Sequence, residues 1–318
     1  MENFYGAGIA WGLALWIGAS LAFVLVHALL WSRAGKVARY ALAMVLMAVP
    51  PFGIVGWAHP ITAAGVVFPG WGWPGLCAAA MGLLVMTTRL WSIAALVLGA
   101  FWIWSASSWA VPNLPEGWWG VDTQLGRALE RRTGLESQRD LIGVVRNAKA
   151  QGSRVVVLPE SALGFWTPTM ERVWVRALQG STVTVIAGAA IIDHDGYDNV
   201  MMEITARGSR VLYRERMPIP VSMWQPWNSW RGIDSGAQAY FFSNSIVAVN
   251  GKRSVPLICY EQLLVWPVLH SMLGSPEVII AIGNGWWTRG LAVVAVQEAS
   301  VRAWSRLFGL PLVTAFNT

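Results

Sequence analysis

From residue 6 to residue 30 the chain carries no Asp, Glu, Lys or Arg, and an apolar run of that length crosses a bilayer core as a helix of about 20 residues. Three more apolar runs follow. Residues 40–57 form the second, where Pro50-Pro51 should kink or end a helix; residues 73–87 form a shorter third, and residues 90–111 the fourth. Residues 58–72 are also apolar but rich in Gly and Pro, which fits a re-entrant or interfacial loop better than a helix. These runs predict an N-terminal transmembrane helical bundle of about four spans within residues 1–115.

Beyond residue 116 the pattern changes to short β-branched runs that alternate with helical periodicity. Leu141, Ile142, Val144, Val145 and Ala148 recur at helical spacing within residues 135–151, and Gly152 closes that helix. A strand at 154–158 precedes a helix that starts near residue 169, after Pro168, and runs to 178. A strand at 183–192 leads to a hairpin pattern, 199–205 and 210–214 about a turn at 207–209. Further strands are predicted at 238–249, 254–259 and 278–282, with a helix at 291–307. Strands interleaved with helices imply one α/β domain over residues 116–318. Asp193-His194-Asp195-Gly196 reads as a solvated hairpin turn.

Composition sharpens the division. Hydrophobic residues make up 55% and charged residues 13%, and mean hydropathy is +0.47, too apolar for an ordinary water-soluble domain. Between Gly6 and Pro115 there is no acidic residue, and the basic ones are Arg33, Lys36, Arg39 and Arg89. Arg33, Lys36 and Arg39 fall between spans one and two, and Arg89 between spans three and four. The positive-inside rule makes those loops cytoplasmic. With an even number of spans the domain after residue 116 then faces the periplasm of a Gram-negative inner membrane, whereas a helix through 58–72 would reverse this. Trp31, Trp102, Trp104 and Trp109 suit the headgroup level. The first run is too long, and lacks the basic leader, for a cleaved signal peptide. A pI near 9.7 does not point to nucleic acid, because the basic residues are scattered without interleaved aromatics; membrane lipid is the partner they suit.

Two strand ends carry the chemistry. Residues 155–161 (V-V-V-L-P-E-S) deliver Glu160, and residues 255–262 (V-P-L-I-C-Y-E-Q) deliver Cys259 and Glu261. Cys77 and Cys259 fall in different halves, which argues against a disulfide and leaves Cys259 a free thiol. His27, His59, His194 and His270 share no ligand spacing, and no glycine-rich phosphate loop is present, so neither metal nor cofactor is expected. Taken singly, Cys259 reads as a small buried hydrophobe and Glu160 as a strand-end surface carboxylate. Their pairing, each at a strand end, favours a site.

L-P-E-S at 158–161 resembles the strand that presents the glutamate base in the nitrilase superfamily, and I-C-Y-E at 258–261 resembles the nucleophile motif of its apolipoprotein N-acyltransferase branch. A-I-G-N-G-W-W at 281–287 and T-A-F-N-T at 314–318 are similar to later segments of that branch, in the same order. The small number of spans and G-W-A-H-P-I-T-A-A-G from residue 56 look most like TraB-type proteins of conjugative plasmid transfer. The resemblance implies an αββα sandwich; relatives continue past the position of residue 318 with further strands and a membrane helix, so the domain is either shortened here or lacks that closing piece. The resemblance also implies a Glu–Lys–Cys triad, with Glu160 as base, Cys259 as nucleophile and Glu261 beside them, and Asn284 and Trp287 as binding residues. Read from the residues alone, Asn284 is a turn residue and Trp287 a core aromatic rather than direct substrate contacts.

The lysine of that triad belongs to a Tyr-x-Lys-x-x-x-x-Pro context, which here runs from Tyr213 to Pro220 and places Glu215 at the lysine position. Lys36, Lys149 and Lys252, the only lysines, lie elsewhere, and the glutamate expected eight residues further on is Met223. Arg214 or Arg216 would supply a cation only through a register change, and a guanidinium does not replace an ammonium. Two readings stay open. One is an altered acyl-transfer or amidase-type enzyme that works through a Cys259 thioester. The other is a catalytically impaired membrane scaffold that binds proteins of the transfer apparatus.

Overall fold

The computed structural model describes residues 9–30, 35–57, 59–124, 135–194, 196–228, 236–243, 245–288 and 291–318. Trp31, Arg33 and Asp195 lie outside the described residues. The chain divides into two compact units. One is Met1–Pro112 with Leu263–Trp266 and Ala299–Leu310; the other is Asn113–Gln262 with Pro267–Glu298 and Pro311–Thr318.

The first unit contains α1 (Ile9–Leu29), α2 (Lys36–Ala48), α3 (Ala64–Val67), α4 (Gly72–Met86) and α5 (Trp91–Ser108). α2 stops short of Pro50-Pro51, because proline lacks an N–H and its ring disfavours helix at the preceding residue. The run at 40–57 is therefore a helix end followed by a 3₁₀ turn, Phe52–Val55, rather than one spanning helix. Residues 60–67 form a 3₁₀ turn, Pro60–Ala63, and the single-turn α3, in keeping with a non-spanning segment. His59 starts that turn: Ile61 N donates to its Nδ1 at 3.1 Å, and its Nε2 meets the Met44 carbonyl at 3.0 Å. Among the described residues one helix, Trp91–Ser108, is long and apolar enough to cross a membrane; Trp16–Leu29 and Gly72–Met86 are shorter apolar helical stretches. Large apolar side chains on α5 point to every side, with Leu96 at 75% and Ile103 at 67% exposed. Backbone packing inside this unit is close. A Cβ on Gly65 would lie 1.7 Å from the Ala303 carbonyl oxygen, and Arg306 donates to Ser105 Oγ at 3.1 Å.

The second unit is built on two sheets. β1 (Trp118–Gly120), β2 (Val155–Val157), β3 (Thr184–Asp193), β4 (Gly196–Thr205) and β5 (Gly208–Arg214) form the first in chain order. β6 (Val247–Val249), β7 (Lys252–Ile258), β8 (Val278–Asn284) and β9 (Leu312–Asn317) form the second. β1, β2 and β3 run parallel, as do β7, β8 and β9, while β3–β4–β5 and β6–β7 are antiparallel. Strand alternation sorts the core. Val156, Leu158, Val185 and Ala187 face α6 (Leu135–Ala150) and α7 (Pro168–Ala177), where Leu141, Val145 and Trp174 pack. Val155, Val157, Ile186 and Met201 face the other way, against Ile258, Ile280, Ile282 and Ala315 of the second sheet. Leu257, Ile279 and Ala281, on the second sheet's far face, are buried too. This is the layering of a nitrilase-like sandwich. α8 (Val265–Met272) and α9 (Val293–Phe308) each have residues in both units. Thr167 caps α7 by accepting from Met170 N at 3.3 Å.

The strand expected at 238–249 shrinks to Val247–Val249. Residues 236–238 instead cross the start of β4, with Tyr197 N bonded to the Gly236 carbonyl at 3.0 Å and Gln238 N to the Tyr197 carbonyl at 2.9 Å. Tyr240 then donates its hydroxyl to Asp198 at 2.7 Å, so this backbone is committed before any ladder forms.

Candidate active site

Glu160 stands in the turn that leaves β2. That turn lies against β3: Gly188 N donates to the Pro159 carbonyl at 3.1 Å and Leu163 N to the Gly188 carbonyl at 3.0 Å. Only glycine permits the approach, since a Cβ at 188 would sit 2.5 Å from the Glu160 Cα. Ser161 takes a left-handed φ of 60° to turn the chain away. Cys259 follows the fully buried end of β7 with a φ of 45°, and the chain coils at once into the 3₁₀ turn Cys259–Leu263. A left-handed, non-glycine residue at a strand end presents its side chain sharply outward and marks a strained position.

The two side chains converge. The Glu160 carboxyl interacts with the Cys259 thiol, with the Asn199 side chain and with the Asn284 backbone N–H at the end of β8. Gln297 of α9 points Nε2 at the sulfur, 3.6 Å away. Burial raises Glu160 to about 7, against the pull of Asn199, Cys259 and Asn284. Burial and the neighbouring Glu160 and Glu215 charges push the Cys259 thiol well above its ordinary range, so the sulfur rests as a thiol and needs a base.

Glu215, just past β5, joins the same cluster. Asn199 of β4 places its Nδ2 between two carboxyls, 2.9 Å from Glu160 Oε1 and 2.8 Å from Glu215 Oε2. Burial, then the charges of Glu261 and Glu160, raise Glu215 well above the carboxylate range, so it holds a proton.

Glu261, the carboxylate expected beside Glu160 and Cys259, is tied into the backbone of two segments. It accepts from Ile258 N and from Arg216 N, both at 2.7 Å, and from the Tyr213 hydroxyl, and the Arg216 guanidinium stands 3.8 Å away with both side chains 0% exposed. Glu261 thereby ties the start of the 3₁₀ turn to the segment after β5. Arg216 is engaged with Glu261, with Tyr213 at 2.9 Å and with the Pro256 carbonyl at 3.4 Å. Arg214 pairs with Asp198 at 2.7 Å. Neither arginine takes the lysine's role by a register change. Asn284 and Trp287 shape the turn after β8: Asn284 Oδ1 accepts from Asn317 at 3.0 Å, and Trp287 Nε1 donates to the Asn284 carbonyl at 3.1 Å. Among the described residues no group of three or more His, Cys, Asp or Glu side chains is placed to hold a metal ion.

Sequence reading missed Asn199, Gly188 and Gln297. Asn199 left a signal, an amide inside a β-branched strand pattern that disfavours it. Gly188 and Gln297 left none, since only tertiary packing gives them their places.

Residues 12–306 match the carbon-nitrogen hydrolase family. Conjugal transfer protein TraB of Agrobacterium fabrum is 57% identical over the whole chain and 79% of its own length. A probable conjugal transfer protein TraB of Sinorhizobium fredii is 56% identical over 99% of the chain and 82% of its own. An amidase of the nitrilase superfamily from Nesterenkonia AN1 aligns over 64% of this chain and 78% of its own, with 11% identity and a TM-score of 0.43. The family match over residues 12–306 and the two relatives lead to one conclusion: the chain belongs to the carbon-nitrogen hydrolase family.

Proposed function

We propose that this chain is a membrane-anchored acyl-transfer or amidase-type protein of conjugative plasmid transfer that forms an acyl-thioester on Cys259. The observation that carries the reading is the Cys259 thiol, held left-handed at a strand end against the Glu160 carboxyl. Glu160 takes the thiol proton as sulfur attacks the acyl carbon of an amide or ester. The tetrahedral species collapses, the C–N or C–O bond breaks, and the leaving group takes the proton back from Glu160. Water or an amine then receives the acyl group and regenerates the thiol. Gln297 supports the sulfur as it gains charge.

The conjugative setting rests on the names of the two relatives. Anchoring is supported by α5, apolar on all sides as a lipid-facing helix is. Lys36 and Arg89 line one cleft of the first unit, which fits both inter-helix loops lying on the cytoplasmic side and residues 116–318 in the periplasm.

Alkylation of the detergent-solubilised chain with iodoacetamide tests the base. Cys259 should react faster as pH rises through about 7, where Glu160 loses its proton, and Glu160→Gln should abolish that rise. Equal pH profiles in the two proteins contradict the assignment. One observation favours a second reading, an impaired scaffold that binds transfer proteins: a carboxyl, Glu215, occupies the place of the triad's cation. Under that reading wild type forms no acyl adduct on Cys259.

A further inference from the structure

Glu215 is buried as deeply as any group in the site. Its side chain is 0% exposed, Oε2 accepts from Asn199 at 2.8 Å, and Oε1 has no hydrogen-bond partner among the described residues. The same Asn199 amide holds Glu160 at 2.9 Å, so one side chain sets the spacing of two carboxyls, and the Cys259 thiol senses both. The remaining titratable neighbours are Glu261 on the turn after β7, Tyr213 on β5, and Arg216, whose guanidinium meets His270 of α8 at 3.5 Å. Arg216 sits with Glu261, so the cluster of Glu160, Glu215 and Glu261 has more acid than base. Two buried carboxylates on one neutral amide cannot both stay ionised, and burial with the charges of Glu261 and Glu160 raises Glu215 well above the carboxylate range. A carboxyl kept neutral by burial is a hydrogen-bond donor.

We propose that Glu215 replaces the missing cation as a neutral carboxylic acid, held through Oε2 by Asn199 and donating from Oε1 to the oxyanion formed when Cys259 attacks an acyl carbonyl. The inference rests on the acyl-thioester reading above. As the S–C bond forms, the thiol proton passes to Glu160 and the carbonyl oxygen gains the charge. The Glu215 proton stays on Oε1 and is shared with that oxygen as a hydrogen bond, which slackens when the carbonyl re-forms, the C–O or C–N bond breaks and the leaving group takes the proton from Glu160. Glu215 thus gives a neutral donor where a lysine gives a charged one, a weaker form of the same stabilisation.

Two probes separate this inference from the reading beneath it. Iodoacetamide alkylates sulfur by displacing iodide, without an oxyanion, whereas p-nitrophenyl acetate acylates it through one. In the full chain, with Cys259→Ala as blank, Glu215→Met should alkylate within a few-fold of wild type but acylate about a hundredfold more slowly. Glu215→Gln, whose amide oxygen can accept from Asn199 while its N–H donates, should retain acylation within about tenfold. Where Glu215→Met fails to fold, the pH profile decides. The ratio of acylation to alkylation should fall in wild type as Glu215 ionises at high pH and stay flat in Glu215→Gln. Equal acylation by wild type and Glu215→Met, equal loss in the Gln and Met variants, or matching pH profiles overturn the donor role. Wild type that acylates as fast as Glu215→Met overturns this inference alone, whereas wild type that alkylates in a Glu160-dependent way yet never acylates overturns the thioester reading with it. Wild type that does neither overturns the thioester reading.

Discussion

At the scale of single residues, burial governs Glu160. Its carboxyl is raised from 4.5 to about 7 chiefly by desolvation, so the folded chain holds a proton that the unfolded chain releases between those values. Stability from this group is therefore complete below about pH 4.5 and declines as pH rises through about 7, by roughly 3 kcal/mol in all. Glu160→Gln should flatten that decline in denaturant titrations across the window; an unchanged slope would show that Glu160 is not held neutral. Glu215→Lys restores the superfamily's triad residue beside a thiol that burial and two carboxyls hold high. It should lower the thiol and speed iodoacetamide alkylation of Cys259 about tenfold or more at neutral pH, each pK unit being tenfold in thiolate. Glu160 and Cys259 were legible in the sequence because each ends a β-branched run in its own motif. Asn199 was not given a role, because its function depends on how β4, two strands over from β2, meets the turn that carries Glu160. Glu261 was legible as a residue but not as a clamp, since its partners Tyr213 and Arg216 are more than 40 positions away.

At the scale of elements, the site depends on how closely β3 admits the turn after β2. Gly188→Ala would force a Cβ to 2.5 Å from the Glu160 Cα. The variant should lose roughly 3 kcal/mol of stability and much of its Cys259 reactivity; a neutral result in chemical denaturation would show that the turn yields freely. Glu261 fastens β7 to the end of β5, so Glu261→Ala leaves the buried Arg216 without its carboxylate and should cost about 3–5 kcal/mol. Loss of activity towards amide substrates alone, with stability intact, would return Glu261 to a substrate-contact role. β2, β3, β4, β5, β7 and β8 were readable because each is a β-branched run bounded by turn residues. β1, three residues long, carries too few positions to show a period. β6 was overextended because residues 238–243 look like a strand but serve as a bracing segment for Tyr197 and Asp198.

At the scale of the whole molecule, composition divides the chain near residue 115, and the compact units divide it near Pro112, with Leu263–Trp266 and Ala299–Leu310 joining the first unit. No local pattern announces those late segments, since membership is decided by packing such as that of Ala303 on Gly65. The proposed topology predicts that an impermeant thiol reagent on whole cells labels Glu116→Cys but not Lys36→Cys or Arg89→Cys, in a chain whose Cys77 and Cys259 are both Ser. Labelling of Lys36→Cys together with Glu116→Cys would contradict an even number of spans. The account turns on a nucleophilic sulfur at residue 259 served by the carboxyl at residue 160. The most direct measurement supplies radiolabelled phospholipid or a short amide to the intact protein and follows hydroxylamine-sensitive label on the chain. The account predicts label on wild type, none on Cys259→Ala and slowed labelling of Glu160→Gln. A wild type that takes up no label, or a Glu160→Gln variant that labels as fast as wild type, would contradict it.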